Sequence, residues 1–318
     1  MMLRTEDLHR NRTGLKKRTW RKELSDNYEL YLFVLPAVAS VFLFNYLPMY
    51  GVQIAFKNFR PVQGIWDSAW VGLKWFNRFF SSSQFGSLMS NTFLLNIYLL
   101  ACSFPLPIML ALLFNQFRNH HIRKTLQTVS YAPHFISTVV MVGMLTLFLS
   151  PISGIYGNLM RAMGMTPGNP MGEVNLFRSI YVWSDIWQHT GWDSIIYIAA
   201  LSAIDPELYN AATVDGANRI QKIRHIEIPA LLSTASILLI MRTGNLMSVG
   251  FEKAYLMQNG LNLAASEVIS TYVYKMGLTG TAQYSYSAAV GLFNTLINLV
   301  ILTLCNTATR KLSGSSLW

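Results

Sequence analysis

Five polar and aromatic side chains recur along one apolar block of the sequence, at about residues 178–203. They are three or four residues apart, with two adjacent pairs, which places them on one side of an α-helix. Amide, carboxylate and indole groups together suit a sugar, which offers hydroxyls and an apolar ring face. The sequence leaves open the alternative of a polar seam between helices. The residues are Asp185, Gln188, His189, Trp192 and Asp193.

A second polar set lies in and after the next apolar block. Arg242 and Asn245 fall near its mid-depth, and Glu252 lies near its outer end. A charge at the centre of a membrane helix costs roughly 2.5–3.5 kcal/mol on insertion scales, so it usually faces a cavity or a partner. We therefore predict that Asn245 and Glu252 join the sugar path. Arg242 is predicted to form an intramembrane ion pair with Asp185 or Asp193.

The sequence offers no catalytic constellation. It contains no phosphate-binding G-x-x-x-x-G-K-[ST] loop, no G-x-S-x-G elbow and no His/Cys cluster with zinc spacing. The chain is therefore predicted to bind no metal or cofactor of its own and not to be an enzyme.

The elements that must position these residues are long apolar blocks. Of the 318 residues, 52% are hydrophobic and only 13% are charged, about half the charged fraction of a soluble domain. A helix needs roughly 20 apolar residues to cross a bilayer. We predict an all-α membrane domain over 28–308 with six spans, at about 29–50, 91–115, 128–149, 178–203, 229–250 and 286–308. Pro105 and Pro107 should interrupt the second.

Charge sets the predicted orientation. Residues 1–27 form a basic arm directly before an apolar span, which indicates contact with anionic lipid rather than nucleic acid. With this arm inside, the inside segments carry sixteen Lys and Arg and the outside segments eight. The bias predicts that both the arm and the tail, 309–318, are cytoplasmic.

The loop between the fourth and fifth spans, 204–228, has a helix–turn–helix pattern. Asp205 is a helix N-cap followed by Pro206 at N1, Gly216 breaks the helix, and a second short helix follows until Pro229 opens the next span. Small residues around the turn allow close approach by another surface. A docking site for a soluble partner and a self-packed loop both fit this pattern.

This loop resembles the coupling-loop motif of binding-protein-dependent ABC importer permeases, E-A-A-x-x-D-G-A followed by I-x-x-P. Position 210 is Asn where the motif usually has Glu. The resemblance extends over most of the chain to the MalF-like sugar permeases, and the stretch 250–259 is similar to a branch that handles oligosaccharides or polysaccharide fragments. Matching residues are Ala211, Ala212, Asp215, Gly216, Ala217 and Pro229.

The resemblance implies a subunit of a multi-pass importer in a bacterial cell membrane. Its implied partners are a second homologous permease, two cytoplasmic ATPase subunits that bind ATP and Mg, and an extracytoplasmic solute-binding protein. The implied coupling residues are the five small or acidic loop residues from Ala211 to Ala217 named above, together with Arg219. The alternative is a secondary transporter driven by an ion gradient, which would need a membrane carboxylate and usually an inverted repeat.

Overall fold

The structure, a computed structural model, describes residues 27–117, 119–248, 250–280 and 282–313. The chain divides into two compact units, Met1–Gln53 and Ile54–Trp318. The predicted basic arm therefore lies outside the described residues except for Asn27, and so do residues 314–318 of the predicted tail.

The described residues are helical, apart from loops and two isolated bridges, Lys57 with Trp70 and Arg60 with Gly64. Segments of 3₁₀-helix are Tyr50–Phe56, Ala132–Phe135 and Pro170–Gly172, and π-helical turns are Phe42–Tyr46 and Ile223–Glu227. The α-helices are α1 Tyr28–Val41, α2 Leu47–Met49, α3 Gly64–Asp67, α4 Lys74–Phe80, α5 Phe85–Ser103, α6 Pro105–Asn115, α7 His120–Tyr131, α8 Thr138–Phe148, α9 Ile155–Ala162, α10 Val174–Ser202, α11 Pro206–Val214, α12 Arg219–Lys222, α13 Ile228–Thr243, α14 Phe251–Met257, α15 Leu263–Ser266, α16 Ile269–Leu278 and α17 Tyr284–Ser313.

Fewer helices than the six predicted spans pass a test of length and apolar composition. Four described segments do: Tyr28–Phe56, Phe85–Asn115, Arg219–Thr243 and Tyr284–Lys311. A bent pair of helices makes a fifth if it is counted as one span. The predicted fourth span corresponds to α10, whose 29 residues are long enough to cross a bilayer. Its polar stripe lowers its hydropathy, which is why it is not in this set.

The predicted third span, 128–149, is not one straight helix. The segments His120–Phe135 and Thr138–Phe148 meet at an angle of 95°. Ser137 has an extended backbone and its hydroxyl accepts a hydrogen bond from the Val140 amide, so it starts a new helix. On the other side of the bend, Gln188 donates to the Ile136 carbonyl at 2.7 Å. The bend is therefore stabilised by the Ser137 helix cap and by the hydrogen bond from the Gln188 side chain.

Proline residues lie at two points in the spans. Helix α5 ends at Ser103 and α6 begins at Pro105, but Phe104 between them keeps α-helical backbone angles, so Phe85–Asn115 remains one helical segment. The α-helix of the fifth span begins at Ile228, with Pro229 in its first turn as predicted. The π-helical turn Ile223–Glu227 joins this helix to α12 without a break, so the helical segment runs from Arg219 to Thr243.

Helix α10 lies at the centre of the larger unit. Its Tyr181, Val182 and Ile186 are buried with Leu95 of α5 and Ala254 of α14. The contact with α7 is closer still, because a Cβ at Gly191 would overlap the Ser130 carbonyl. Side chains on α10 are therefore held against several neighbouring helices.

Candidate functional site: a capped loop and a polar seam

The predicted coupling loop folds as a compact helix–turn–helix. The Asp205 carboxylate accepts a hydrogen bond from the Glu207 amide at 2.9 Å, so it is the N-cap of α11. At the other end, the Gly216 amide donates to Thr213 and the Ala217 amide donates to Ala212, the two bonds of a Schellman motif. Gly216 has φ +75°, which favours glycine.

The second half of the loop is capped as well. Asn218 and Gln221 form a reciprocal capping box at the start of α12. Lys222 crosses the turn and donates from Nζ to the Thr213 hydroxyl at 2.7 Å. These bonds give the loop a fixed shape at both helix ends.

Apolar side chains of this rigid loop are exposed. Val214 is 88% exposed at the end of α11, and Ile220 is 75% exposed on α12. Leu208 is more than half exposed on α11. Of the predicted coupling residues, Ala211, Asp215, Gly216 and Arg219 are exposed and Ala212 and Ala217 are half-buried. An apolar rim on a capped loop is a surface suited to another protein.

The polar stripe of α10 meets charged residues from two other helices. Asp185 pairs with Lys253 of α14 at 3.2 Å, and this lysine is only 5% exposed. The Lys253 ammonium also donates to the Tyr181 carbonyl and lies over the Tyr181 ring. Asp193 pairs with Arg242, which also donates to the Ser103 hydroxyl. Of the two predicted partners for Arg242, the structure therefore places Asp193 beside it.

The remaining members of the stripe contact the bend between α7 and α8. The Nδ1 atoms of His189 and His134 are 3.1 Å apart, and Trp192 stacks on the His134 ring with centroids 4.4 Å apart. Gln188 is buried, and its amide supports the bend at Ile136. Its amide is therefore engaged in the fold, which differs from the predicted path-lining role. All five stripe residues contact other helices, as a seam between helices requires.

A cavity of about 390 Å³ lies between α5 and the end of α13. Asn245 of the predicted path and Arg242 of the predicted ion pair line it, whereas Glu252 is exposed at the start of α14. Arg242 is the one ionisable group among its described lining residues. Leucine and methionine side chains form the rest of the wall with polar groups from Asn96, Ser103, Asn245 and Ser248.

Sequence reasoning missed several partners in this seam. Lys253, His134 and Ser103 come from separate parts of the chain, and no spacing rule links them to α10. A lysine close behind an apolar span is the one available signal, because intramembrane carboxylates generally pair. The polar stripe and Arg242 were therefore predictable, whereas Lys253 and His134 were not predicted as their partners.

Long apolar helices, a capped loop and a seam of ion pairs are the features of a multi-pass membrane protein. The family model described as binding-protein-dependent transport system inner membrane component matches residues 103–313. The chain belongs to this family, which confirms the predicted permease. It is a transport component rather than a known type of enzyme.

Relatives and solved structures are similar over nearly the whole chain. Protein LplB of Bacillus subtilis is 38% identical over 96% of this chain and 96% of its own length. The polygalacturonan/rhamnogalacturonan transport system permease protein YteP of the same organism is 40% identical, over 95% and 94%. A bacterial ABC transporter involved in import of the acidic polysaccharide alginate has a chain with TM-score 0.85 and 38% identity, over 92% of this chain and 99% of that one.

A second structure shows a bacterial alginate ABC transporter in complex with an alginate pentasaccharide-bound periplasmic protein. Its matching chain has TM-score 0.85 and 36% identity, and the match covers 94% of this chain and 99% of that chain. These similarities favour an ABC importer permease over an ion-driven transporter.

Proposed function

We propose that this chain is one half of a heterodimeric permease that imports fragments of an acidic polysaccharide. A second, homologous permease forms the other half, and an extracytoplasmic solute-binding protein delivers the sugar. Two cytoplasmic ATPase subunits, which hold ATP and Mg, bind the 204–228 loop of this chain and the corresponding loop of its partner. Closure of the ATPases then moves the loops and alternates access to the path.

The observation that carries the coupling role is the exposed apolar rim on a rigid loop. Val214 and Ile220 stand out from helices whose ends are capped, so a force applied there moves the whole loop rather than deforming it. Asn210 replaces the usual glutamate of the motif, which favours apolar docking over a charged contact at that position.

Replacing Val214 by aspartate tests this docking surface. A carboxylate in an apolar interface is left unpaired, so we expect at least about a 10-fold loss of ATPase recovered with the tagged chain. The assay is purification in mild detergent, identification of co-purifying subunits by mass spectrometry and ATP hydrolysis by the eluate. The matched control is Val62→Asp, because Val62 is 100% exposed in a predicted outside loop. Equal ATPase recovery from both variants would contradict docking at Val214.

The substrate proposal has separate support. Relatives with nearly full coverage act on polygalacturonan, rhamnogalacturonan and alginate by their names, and these are acidic polymers. The guanidinium that lines the cavity beside α13 is already paired with Asp193, so the charge of the cavity does not select among sugars and the substrate proposal rests on these relatives.

The substrate class is tested by import into proteoliposomes that hold the complete transporter and its binding protein. We expect ATP-driven uptake of a galacturonate oligomer at least 10-fold faster than uptake of a neutral glucose oligomer of the same length. The reason for this expectation is that the relatives with nearly full coverage are named for acidic polymers. Preferential uptake of the neutral oligomer would contradict the acidic substrate and leave the permease assignment standing.

A further inference from the structure

The base of the coupling loop contains a buried carboxylate, Glu227, that is only 2% exposed. None of the ion pairs among the described residues involves it. A buried charge is costly unless its hydrogen bonds are supplied. Glu227 lies in the π-helical turn before α13, so its hydrogen bonds must come from neighbouring protein groups.

Those partners are neutral donors on two other elements. Asn115 donates from Nδ2 to Oε1 at 2.8 Å, and Gln116 donates from Nε2 to both carboxylate oxygens at 3.1 and 3.2 Å. The Tyr209 hydroxyl donates to Oε1 at 3.4 Å. Burial, reinforced by the Glu227 charge, raises the pKa of Tyr209, so its phenol keeps its proton and donates at neutral pH.

The three partners connect the loop to two spans. Tyr209 lies on α11, the first helix of the coupling loop, and Asn115 is the last residue of α6, which Gln116 follows. Glu227 is the residue directly before α13, so it lies at the start of the fifth span. A single carboxylate therefore joins the coupling helix to the ends of both spans.

The same two spans form the walls of the 390 Å³ cavity. Asn96, Leu99 and Ser103 line it from the span that ends at Asn115. Leu238, Met241 and Arg242 line it from the span that contains Glu227. Between the cavity and the carboxylate, Ala111, Tyr197 and Leu231 are buried together. These packed helices therefore provide a route by which movement at the Glu227 end reaches the walls of the cavity.

We propose that Glu227 is a positioning residue that transmits displacement of the coupling helix to both walls of the cavity. This proposal rests on the proposed function, because the displacement comes from the ATPase subunits. The carboxylate suits this role, since both of its oxygens accept hydrogen bonds from Asn115 and Gln116. An amide at this position keeps only one acceptor oxygen, so Glu227→Gln weakens the contacts that join the two spans.

The test is the number of sugars imported per ATP hydrolysed, measured with a galacturonate oligomer in proteoliposomes of the complete transporter. We expect Glu227→Gln to lower this ratio at least 5-fold and Tyr209→Phe, which removes one donor, to lower it about 2-fold. Loss of stability alone reduces import and hydrolysis together and leaves the ratio unchanged. The matched control is Glu29→Gln, at an exposed glutamate in the first turn of α1.

The outcomes separate the two proposals. A wild-type ratio in both variants overturns the role of Glu227 while import by the wild-type complex sustains the proposed function. If Glu227→Gln does not assemble, Tyr209→Phe decides, because its ring can still pack. Absence of ATP-driven import of both the galacturonate oligomer and the neutral glucose oligomer by the wild-type complex overturns the proposed function itself, and the role of Glu227 with it.

Discussion

Replacing Gly216 by valine is expected to abolish ATP-driven import, with at least a 10-fold loss of ATPase recovered with the chain. Gly216 has φ +75°, where a side chain costs about 1–2 kcal/mol and a β-branched one more. Space is not the obstacle, because a Cβ there would meet nothing within 4 Å. The valine instead breaks the turn that joins α11 to α12 and displaces the exposed apolar rim. Co-purification and uptake measure the effect.

Gly216→Asn is the control for this change. Asparagine is close to valine in size, but it adopts the left-handed conformation readily. The Schellman bonds from Gly216 and Ala217 involve backbone atoms only, so the asparagine variant should keep them. Retained import with asparagine and lost import with valine assign the effect to backbone conformation. Loss in both variants would show instead that any side chain at 216 collides with a partner.

The coupling loop was predictable because its signals are local. Asp205, Pro206 and Gly216 act on the backbone within a few residues, and the structure has the cap, the helix and the turn at those positions. The extent of the second helix was not predictable in this way. Pro229 indicates a helix start by its usual preference, yet the π-helical turn before it lets the helix continue.

The features that could not be predicted from the sequence are contacts between residues far apart in the chain. The polar stripe of α10 follows from spacing alone, but its role depends on Lys253, His134 and Arg242, which chain folding brings to it. In the sequence, Gln188 looks the same as an amide that binds sugar. In the structure, its side chain donates a hydrogen bond to Ile136 and so supports the bend between α7 and α8. Glu227 gave no signal, because its donors lie in separate helices.

Replacing Asp185 by asparagine is expected to destabilise the chain by about 3 kcal/mol. The change leaves the Lys253 ammonium buried without its counter-charge, and breaking a buried pair in this way typically costs 3–5 kcal/mol. We expect a cost at the lower end of this energy range because the Asp185 side chain is partly exposed. Thermal unfolding in detergent should show a fall of several degrees in Tm. Asp193→Asn should have a smaller effect, since Arg242 is about one-third exposed.

The double variant Asp185→Asn with Lys253→Met separates a seam from a sugar path. Removing both charges of a buried pair is often close to neutral, because no charge is left unpaired. If Asp185 acts in the seam, the double variant regains most of the lost Tm and most of the lost import. If Asp185 contacts sugar, the double variant regains Tm while import stays impaired. Recovery of Tm without recovery of import would therefore show that Asp185 belongs to the sugar path and not to the seam alone.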